Sequence, residues 1–294
     1  MPSHELDLNR CTRCGICAAV CPTEVIRQDE AKEVLILQER AATCFQCGHC
    51  MAVCPAQAIL VEGLSYDHDL FGLAKDALDA DRFMDFIWSR RSVRVFKDKP
   101  VPREILERIV EAISFAPMGF PPHKTELTVV QDRSTVRQAL TQLIDFYDQL
   151  DRWLDNPVSR SMLRLRAGAE TFKTLKGHVQ PLMKDRLPGL KSGERDTITR
   201  GAPAMILFHA DRMAEHHLID LPIAMTYGLL AAHAMGLGAC ANSLIPPAVN
   251  KNRALREVLK LPENQEVVCS ILVGYPRYRW QRGIRRGLKN VNWV

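Results

Sequence analysis

The chain has 294 residues, 47% hydrophobic and 25% charged, as expected for a soluble globular protein of about two domains. Its net charge of +5 is uneven: residues 1–62 hold 5 Lys and Arg against 8 Asp and Glu, and the remainder holds 34 against 26. No basic stripe with interleaved aromatic residues is present, which argues against nucleic-acid binding. The polar N-terminus MPSHELDLNR and the lack of a long apolar run predict a cytoplasmic protein without a membrane span.

Eight of the ten cysteines fall in two runs of identical spacing, C-x2-C-x2-C-x3-C-P. The runs begin at Cys11 and Cys44, and their constant offset marks an internal duplication. This is the run of bacterial two-cluster ferredoxins, in which the fourth cysteine ligates the other cluster. The spacing therefore predicts two [4Fe–4S] clusters with crossed ligands. The two ligand sets are Cys11, Cys14, Cys17 and Cys54, and Cys44, Cys47, Cys50 and Cys21.

Two other interpretations of these cysteines are weaker. Zinc also binds paired C-x2-C motifs, but a zinc site does not need the repeated x3-Cys-Pro. Disulfides would need an oxidising compartment, which the N-terminus does not indicate. Gly15 and Gly48 hold the same place in both runs, and we expect them to let backbone N–H groups approach the cluster sulfurs. Cys240 and Cys269 stand in apolar contexts as buried small residues, with a reactive thiol at Cys240 as the alternative.

Beyond the cysteine runs, the pattern predicts helices and short strands without strict alternation. Residues 63–84 form a linker, and the proline-rich stretch 115–126 forms a loop. The predicted helices are 102–114, most of 135–198, and 220–235 with Asp220 as its N-cap; the predicted strands are 34–37, 58–61, 127–130, 204–208 and 267–273. The mixture indicates an α+β domain, in which the apolar helix 220–235 is central.

A series of motifs in the second part of the chain carries a resemblance. In order, they are RRSVRVFKDKPV from Arg90, Ala116–Gly119, Gly201–Pro203, Met235–Gly238, Leu261–Pro262 and Val273–Pro276. Each motif is weak alone, but the ordered set resembles the nitroreductase family of FMN-dependent flavoproteins over about residues 83–294. The whole chain thus looks like a ferredoxin–nitroreductase fusion. The implied organisation is a 2[4Fe–4S] ferredoxin-type domain at 1–62, a linker at 63–84 and a nitroreductase-like FMN domain at 85–294.

The resemblance implies an FMN site. Three arginines within five residues offer bidentate donors to a phosphate or an anionic ring. The residues implied to bind FMN are Arg90, Arg91, Ser92, Arg94, Pro117, Met118, Gly119, Ser243, Leu244, Arg282 and Arg286. The family's P-S-x-x-N-x-Q loop reads Pro117–His123 here, with Met118, Pro121 and His123 at the polar positions. His123 is a candidate proton donor, with a simple loop histidine as the alternative.

These features together predict an iron–sulfur flavoprotein oxidoreductase. A low-potential donor such as ferredoxin would load the clusters, and FMN would pass electron pairs to a nitro-, quinone- or activated-alkene-type acceptor. The chain carries no dinucleotide-binding fingerprint, since Gly236-Leu237-Gly238 follows a helix rather than a strand. The resemblance also implies a homodimer with FMN at the subunit interface. The alternative function is a non-catalytic electron carrier that serves a partner protein.

Overall fold

The computed structural model describes residues 4–73, 78–119, 125–285 and 287–294. His123 and Arg286, both named above as site residues, lie outside these ranges. The described residues divide into a smaller unit up to Leu78 and a larger unit that begins at Asp79. Within the described ranges, every helix is too short or too polar to cross a membrane.

The smaller unit consists of two short antiparallel strand pairs and single-turn helices. Its elements are β1 (His4–Leu6), α1 (Ile16–Ala19), β2 (Ile26–Gln28), β3 (Val34–Ile36), a 3₁₀ turn (Gln38–Thr43), α2 (His49–Ala52) and β4 (Ile59–Val61). β1 pairs with β4, and β2 pairs with β3, both antiparallel. The small core contains Ile26, Val34, Met51, Ile59 and Val61 beside Cys17 and Cys50.

The internal duplication is visible in the backbone as well as in the cysteines. Three positions with positive φ recur at the offset of the two cysteine runs. They are Arg13 and Gln46 (φ 55° and 50°), Gly15 and Gly48 (73° and 70°), and Glu24 and Gln57 (53° and 50°). Four of these six residues carry a side chain, for which left-handed backbone is uncommon. The same local geometry has therefore been kept twice around the cysteines.

The larger unit is a four-stranded antiparallel sheet between two layers of helices. Its strands are β5 (Thr125–Val130), β6 (Ala204–Asp211), β7 (Gly238–Ala241) and β8 (Gln265–Gly274), in the order β5-β6-β8-β7. Its helices are α3 (Ala80–Ser89), α4 (Arg103–Ser114), α5 (Arg133–Asp155), α6 (Pro157–Ala167), α7 (Ala169–Thr174), α8 (Gln180–Lys191), α9 (His217–Ala234), α10 (Ile245–Val249) and α11 (Arg253–Val258), with a π turn (Leu175–Val179) before α8. This mixture of helix and sheet confirms the predicted α+β class.

Alternate residues of β6 face the two layers. Met205 and Leu207 pack into one core with residues of α5 and α8. Ile206 and Phe208 pack into the other core with residues of α4 and α9. A strand buried on both faces explains the continuous apolar run at 204–208.

Two expectations about α9 need correction. The helix begins at His217 rather than after Asp220, so Asp220 lies in the first turn and does not serve as the N-cap. The helix also has an exposed apolar side in one chain, since Ile219 is 60% and Tyr227 38% exposed. Its opposite side, with Leu221 and Ala224, is fully buried. The apolar pattern on all sides of this helix predicts burial all round. The chain buries only one side of it.

We predict that Gly238→Ala destabilises the larger unit by about 1–3 kcal/mol through overpacking. A Cβ at Gly238 would lie 2.6 Å from Cβ and Cγ2 of Val93. The measurement is chemical unfolding followed by far-ultraviolet circular dichroism. Gly177→Ala is the matched control, because nothing lies within 4 Å of its added Cβ. An unfolding midpoint for Gly238→Ala equal to that of Gly177→Ala would contradict the packing argument.

Candidate redox cofactor sites

The structure separates the eight run cysteines into two electrostatic groups. Burial raises the pKa of Cys17, and the charges of Cys54, Cys11 and Cys14 act in the same direction. Burial likewise raises the pKa of Cys50 to about 12, and the charges of Cys47, Cys21 and Cys44 add to it. In each group, three cysteines come from one run and the fourth comes from the other. These are the two sets named from the sequence.

The second group surrounds a cavity. Cys21, Cys44, Cys47 and Cys50 line a small cavity, together with apolar side chains such as Val25, Ile26 and Val61. Within the described residues, no three His, Cys, Asp or Glu side chains come together closely enough to hold a single metal ion. Four cysteine sulfurs around one cavity are the ligand set that a [4Fe–4S] cluster would take.

Backbone amides donate to the cysteine sulfurs in equivalent places. The N–H groups of Arg13 and Gln46 donate to Sγ of Cys11 and Cys44 at 3.4 and 3.3 Å. Both donors have left-handed backbone, which turns each amide toward the sulfur two residues earlier. Ala58 N–H donates to Cys54 Sγ at 3.3 Å. Hydrogen bonds to cluster sulfurs are among the factors that set the reduction potential of a cluster.

Gly15 and Gly48 also have a structural role beside the one expected. Both are left-handed residues that precede α1 and α2, the turns that carry Cys17 and Cys50. A Cβ at Gly15 would come within 2.1 Å of Gln28 Oε1. The glycines therefore start the single-turn helices, and the amide donors to Cys11 and Cys44 come from Arg13 and Gln46, two residues before each glycine.

In the larger unit, α3 and β7 position the arginine segment. Ser89 Oγ hydrogen-bonds to His233 Nε2 at 2.8 Å, and the rings of Phe86 and His233 stack at 4.9 Å, so the end of α3 is held against the end of α9. The chain then runs beside β7. Ser92 forms an isolated parallel β-bridge with Ala239, and Val93 N–H donates to Ala239 O at 3.1 Å.

The arginines of this segment form a concentration of positive charge. Arg90 and Arg91 are half-buried; burial lowers the pKa of Arg90, and the charge of Arg91 lowers it further. Arg91 Nη1 donates to Arg90 O at 2.6 Å, while its Nε is buried without a hydrogen-bond partner. Arg94 is exposed and donates to Ser92 O at 3.4 Å. Crowded cations with an unused buried donor suit an anion.

The C-terminal tail approaches the same arginines. A Cβ at Gly283 would lie 3.1 Å from Arg91 Nη2 and 3.5 Å from Trp88 O. Arg282 precedes this glycine, so the tail brings a further cation next to the arginine segment. Arg277 N–H donates to Val95 O at 3.0 Å and anchors the start of the tail.

The loop after β7 is held from two sides. Asn242 is buried, and its side chain donates to Ile198 O at 2.7 Å while it accepts from Leu244 N–H at 2.9 Å. Asn242 N–H also donates to Ser270 O at 2.9 Å. Ser243 stays exposed at the edge of this loop, and Leu244 is half-buried.

Within the loop 196–201, the sequence pointed to Gly201 but not to Arg200. The Asp196 carboxylate accepts from the N–H groups of Ile198, Thr199 and Gly201 at 2.8–3.0 Å. Arg200 then takes a left-handed φ of 58° and lies within electrostatic range of Arg94 and Cys240. Its only sequence signal is Asp196 and Gly201 on either side of it, a common turn pattern.

The segment Pro117–Gly119 does not join the other predicted site residues in one chain. Gly119 N–H donates to Asp220 Oδ2 at 2.9 Å, in the first turn of α9. The arginine segment is held beside His233, in the last turn of the same helix. At a rise of 1.5 Å per residue, Asp220 and His233 are about 20 Å apart along α9.

Of the two remaining cysteines, Cys240 is buried and Cys269 is half-buried. Cys240 is buried on β7, where its thiol donates to Ala241 O at 3.3 Å. Burial raises the pKa of Cys269 to about 12. Both arrangements fit the interpretation of small buried residues rather than reactive thiols.

Comparison with known families identifies the chain. The model of the Nitroreductase family matches residues 87–275, and that of the 4Fe-4S dicluster domain matches residues 10–59. The chain therefore belongs to the nitroreductase family and is an oxidoreductase with an N-terminal 4Fe-4S dicluster domain. Both parts of the resemblance stated from the motifs are confirmed.

Curated relatives and solved structures agree with this assignment. An iodotyrosine deiodinase of Danio rerio is 22% identical over 67% of this chain, and the match covers 61% of that protein's length. A 4-nitrobenzoate reductase of Pseudomonas putida is 25% identical over 68% of this chain and 87% of its own. The fold matches a nitroreductase with bound FMN from Bacteroides fragilis at a TM-score of 0.54 and 18% identity, covering 72% of this chain and 97% of that one.

We predict that Cys54→Ser and Cys17→Ser remove the same cluster, although the two residues lie in different runs. Each variant should keep about four of eight iron atoms, and both should leave the same electron paramagnetic resonance spectrum. Cys240→Ser, in the larger unit, should keep all the iron. A Cys54→Ser spectrum that matched Cys50→Ser instead would disprove the crossed ligand sets.

Proposed function

We propose that this chain is an iron–sulfur flavoprotein that passes electrons from a low-potential donor, such as reduced ferredoxin, through two [4Fe–4S] clusters to FMN. The reduced flavin then serves a nitro-, quinone- or activated-alkene-type acceptor. Clusters exchange single electrons, and FMN accepts one or two and delivers a pair when it is bound. The two kinds of site in one chain support a conversion from one-electron to two-electron chemistry.

The observation that carries the FMN assignment is the unpaired Nε of Arg91 in a cluster of cations. Arg90 and Arg91 repel each other at partly buried positions, and Arg91 Nε has no acceptor. A phosphate would offer several acceptor oxygens and neutralise this charge. Arg90, Arg91, Ser92 and Arg282 would hold the phosphate side. Arg94, with Ser243 and Leu244 on the loop after β7, would face the ring.

The position of Pro117–Gly119 supports a site built from two copies. In one chain this loop lies at the opposite end of α9 from the arginines, about 20 Å away. The exposed apolar side of α9, with Leu218, Ile219 and Tyr227, provides a surface for a second copy. In a homodimer that packs along α9, each flavin would contact the arginines of one chain and Pro117–Gly119 of the other.

The class of electron acceptor is the most specific part of the proposal. A relative named 4-nitrobenzoate reductase and another named iodotyrosine deiodinase both indicate electron delivery to aromatic compounds. Met118 replaces a serine in the loop that resembles the family's P-S-x-x-N-x-Q motif, which makes this edge of the pocket more apolar. We therefore expect flat acceptors with little hydrogen-bonding demand at this edge.

The donor is tested by anaerobic stopped-flow reduction of the flavin. We predict that reduced ferredoxin reduces the flavin at least about tenfold faster than NADPH. The Cys17→Ser variant should lose this advantage, because the path through both clusters is broken, and Cys240→Ser should retain it. Equal rates with NADPH and ferredoxin would refute the proposed donor. Fast flavin reduction without turnover of any nitro, quinone or alkene acceptor would instead favour the carrier function.

The two-copy site is tested by crossed heterodimers of Arg91→Ala and Met118→Glu chains, separated by two affinity tags. When the two substitutions are on different chains, one of the two sites keeps an intact arginine segment and an intact Pro117–Gly119 segment. Half of the flavin should therefore remain. With both lesions on one chain and a wild-type partner, both sites are damaged and flavin should be lost. The opposite pattern would place both segments in a site within one chain. Arg103→Ala, at an exposed ion pair with Glu107, serves as the control for loss of an arginine.

A further inference from the structure

His4 is a buried histidine with no partner for its ring. It begins β1, where its backbone pairs with Val61 and its carbonyl accepts from Gln38 Nε2 at 3.2 Å. The residue is only 4% exposed, while its neighbour Glu5 is exposed on the other face of the strand. Among the described residues, neither Nδ1 nor Nε2 of His4 has a hydrogen-bond partner.

The unpartnered ring lines the cavity of the second cysteine set. The same cavity is bordered by His4 and by Cys21, Cys44, Cys47 and Cys50. A neutral imidazole carries one N–H donor and one acceptor nitrogen. Buried polar groups without partners are rare in native proteins, and each one calls for an explanation. The contents of the cavity provide one, since cluster sulfurs carry negative charge and accept hydrogen bonds.

We propose that the His4 imidazole donates a hydrogen bond to a sulfur of the cluster held by Cys21, Cys44, Cys47 and Cys50, and thereby raises the reduction potential of that cluster. The inference rests on the proposed assignment of a [4Fe–4S] cluster to this set. Reduction adds negative charge to the cluster, so an N–H donor stabilises the reduced form more than the oxidised form. His4 is thus a tuning residue rather than a ligand.

The second repeat provides the contrast. Val34 begins β3 as His4 begins β1, and the two strands share the same alternation of buried and exposed residues. At the offset of the cysteine runs, the counterpart of His4 is Leu37. Neither Val34 nor Leu37 has a donor to offer. The two repeats are therefore matched in backbone and cysteines but unequal at this position. The cluster lined by His4 should accordingly have the higher reduction potential and be reduced first.

The test compares His4→Phe with His4→Gln in the full-length protein, by potentiometric titration of both clusters followed by electron paramagnetic resonance. His4→Phe keeps the ring volume without an N–H and should lower the potential of one cluster only. We expect about a tenfold change in its reduction equilibrium, which is 59 mV for a one-electron couple. His4→Gln restores a donor and should recover part of the shift. Val34→Leu is the control and should leave both potentials unchanged.

A direct measurement keeps the proposal testable if a variant fails to assemble. Wild-type protein labelled with ¹⁵N-histidine should show a nitrogen hyperfine coupling to one reduced cluster. The coupling should survive in His49→Gln, because His49 borders the same cavity but is exposed. Unchanged potentials in His4→Phe, or no histidine coupling in the wild type, would overturn the role of His4 alone. Absence of [4Fe–4S] clusters from the wild type would instead overturn the proposed function.

Discussion

The candidate flavin site depends on the close approach of the arginine segment to β7. Gly238 has no side chain, so Val93 can reach the strand and donate to Ala239 O at 3.1 Å. The same segment continues along the sheet edge, where Lys97 N–H donates to Tyr275 O and Arg277 N–H to Val95 O. This backbone pairing sets the positions of Arg90, Arg91 and Arg94 and brings in the tail that carries Arg282. A group of cations is held together by contacts that themselves involve no charge.

In the smaller unit, cysteine ligands rather than backbone pairing would hold the candidate site together. Its strands have only three residues each, and its apolar core is small. Each cysteine set draws ligands from both runs, so a cluster in either site would link the two repeats across the unit. Structural metal centres often supply the folding energy that small domains cannot obtain from apolar burial.

The sequence predicted what depends on local pattern and missed what depends on tertiary contacts. The cysteine spacing and the helix 102–114 are local, and the structure has α4 at Arg103–Ser114. The start of α9 was misplaced because Asp220 looks like an N-cap, whereas its carboxylate accepts from Gly119 across the fold. Arg200 and the ring of His4 carry no local signal either. Their meaning comes from neighbours that are distant in sequence, such as Arg94 and Cys44.

Both units contain crowded charges or unpaired polar atoms that bound cofactors would neutralise or pair. In the smaller unit, burial and neighbouring thiolates raise the pKa of Cys17 and Cys50, and His4 lacks a partner for its ring. In the larger unit, Arg91 crowds Arg90 and leaves its own Nε unpaired. Such conflicts with ordinary packing are expected at functional sites, where residues are arranged for a ligand rather than for each other. Because a ligand that binds only the folded state stabilises it, cluster assembly and flavin binding should each be linked to the stability of the unit that holds them.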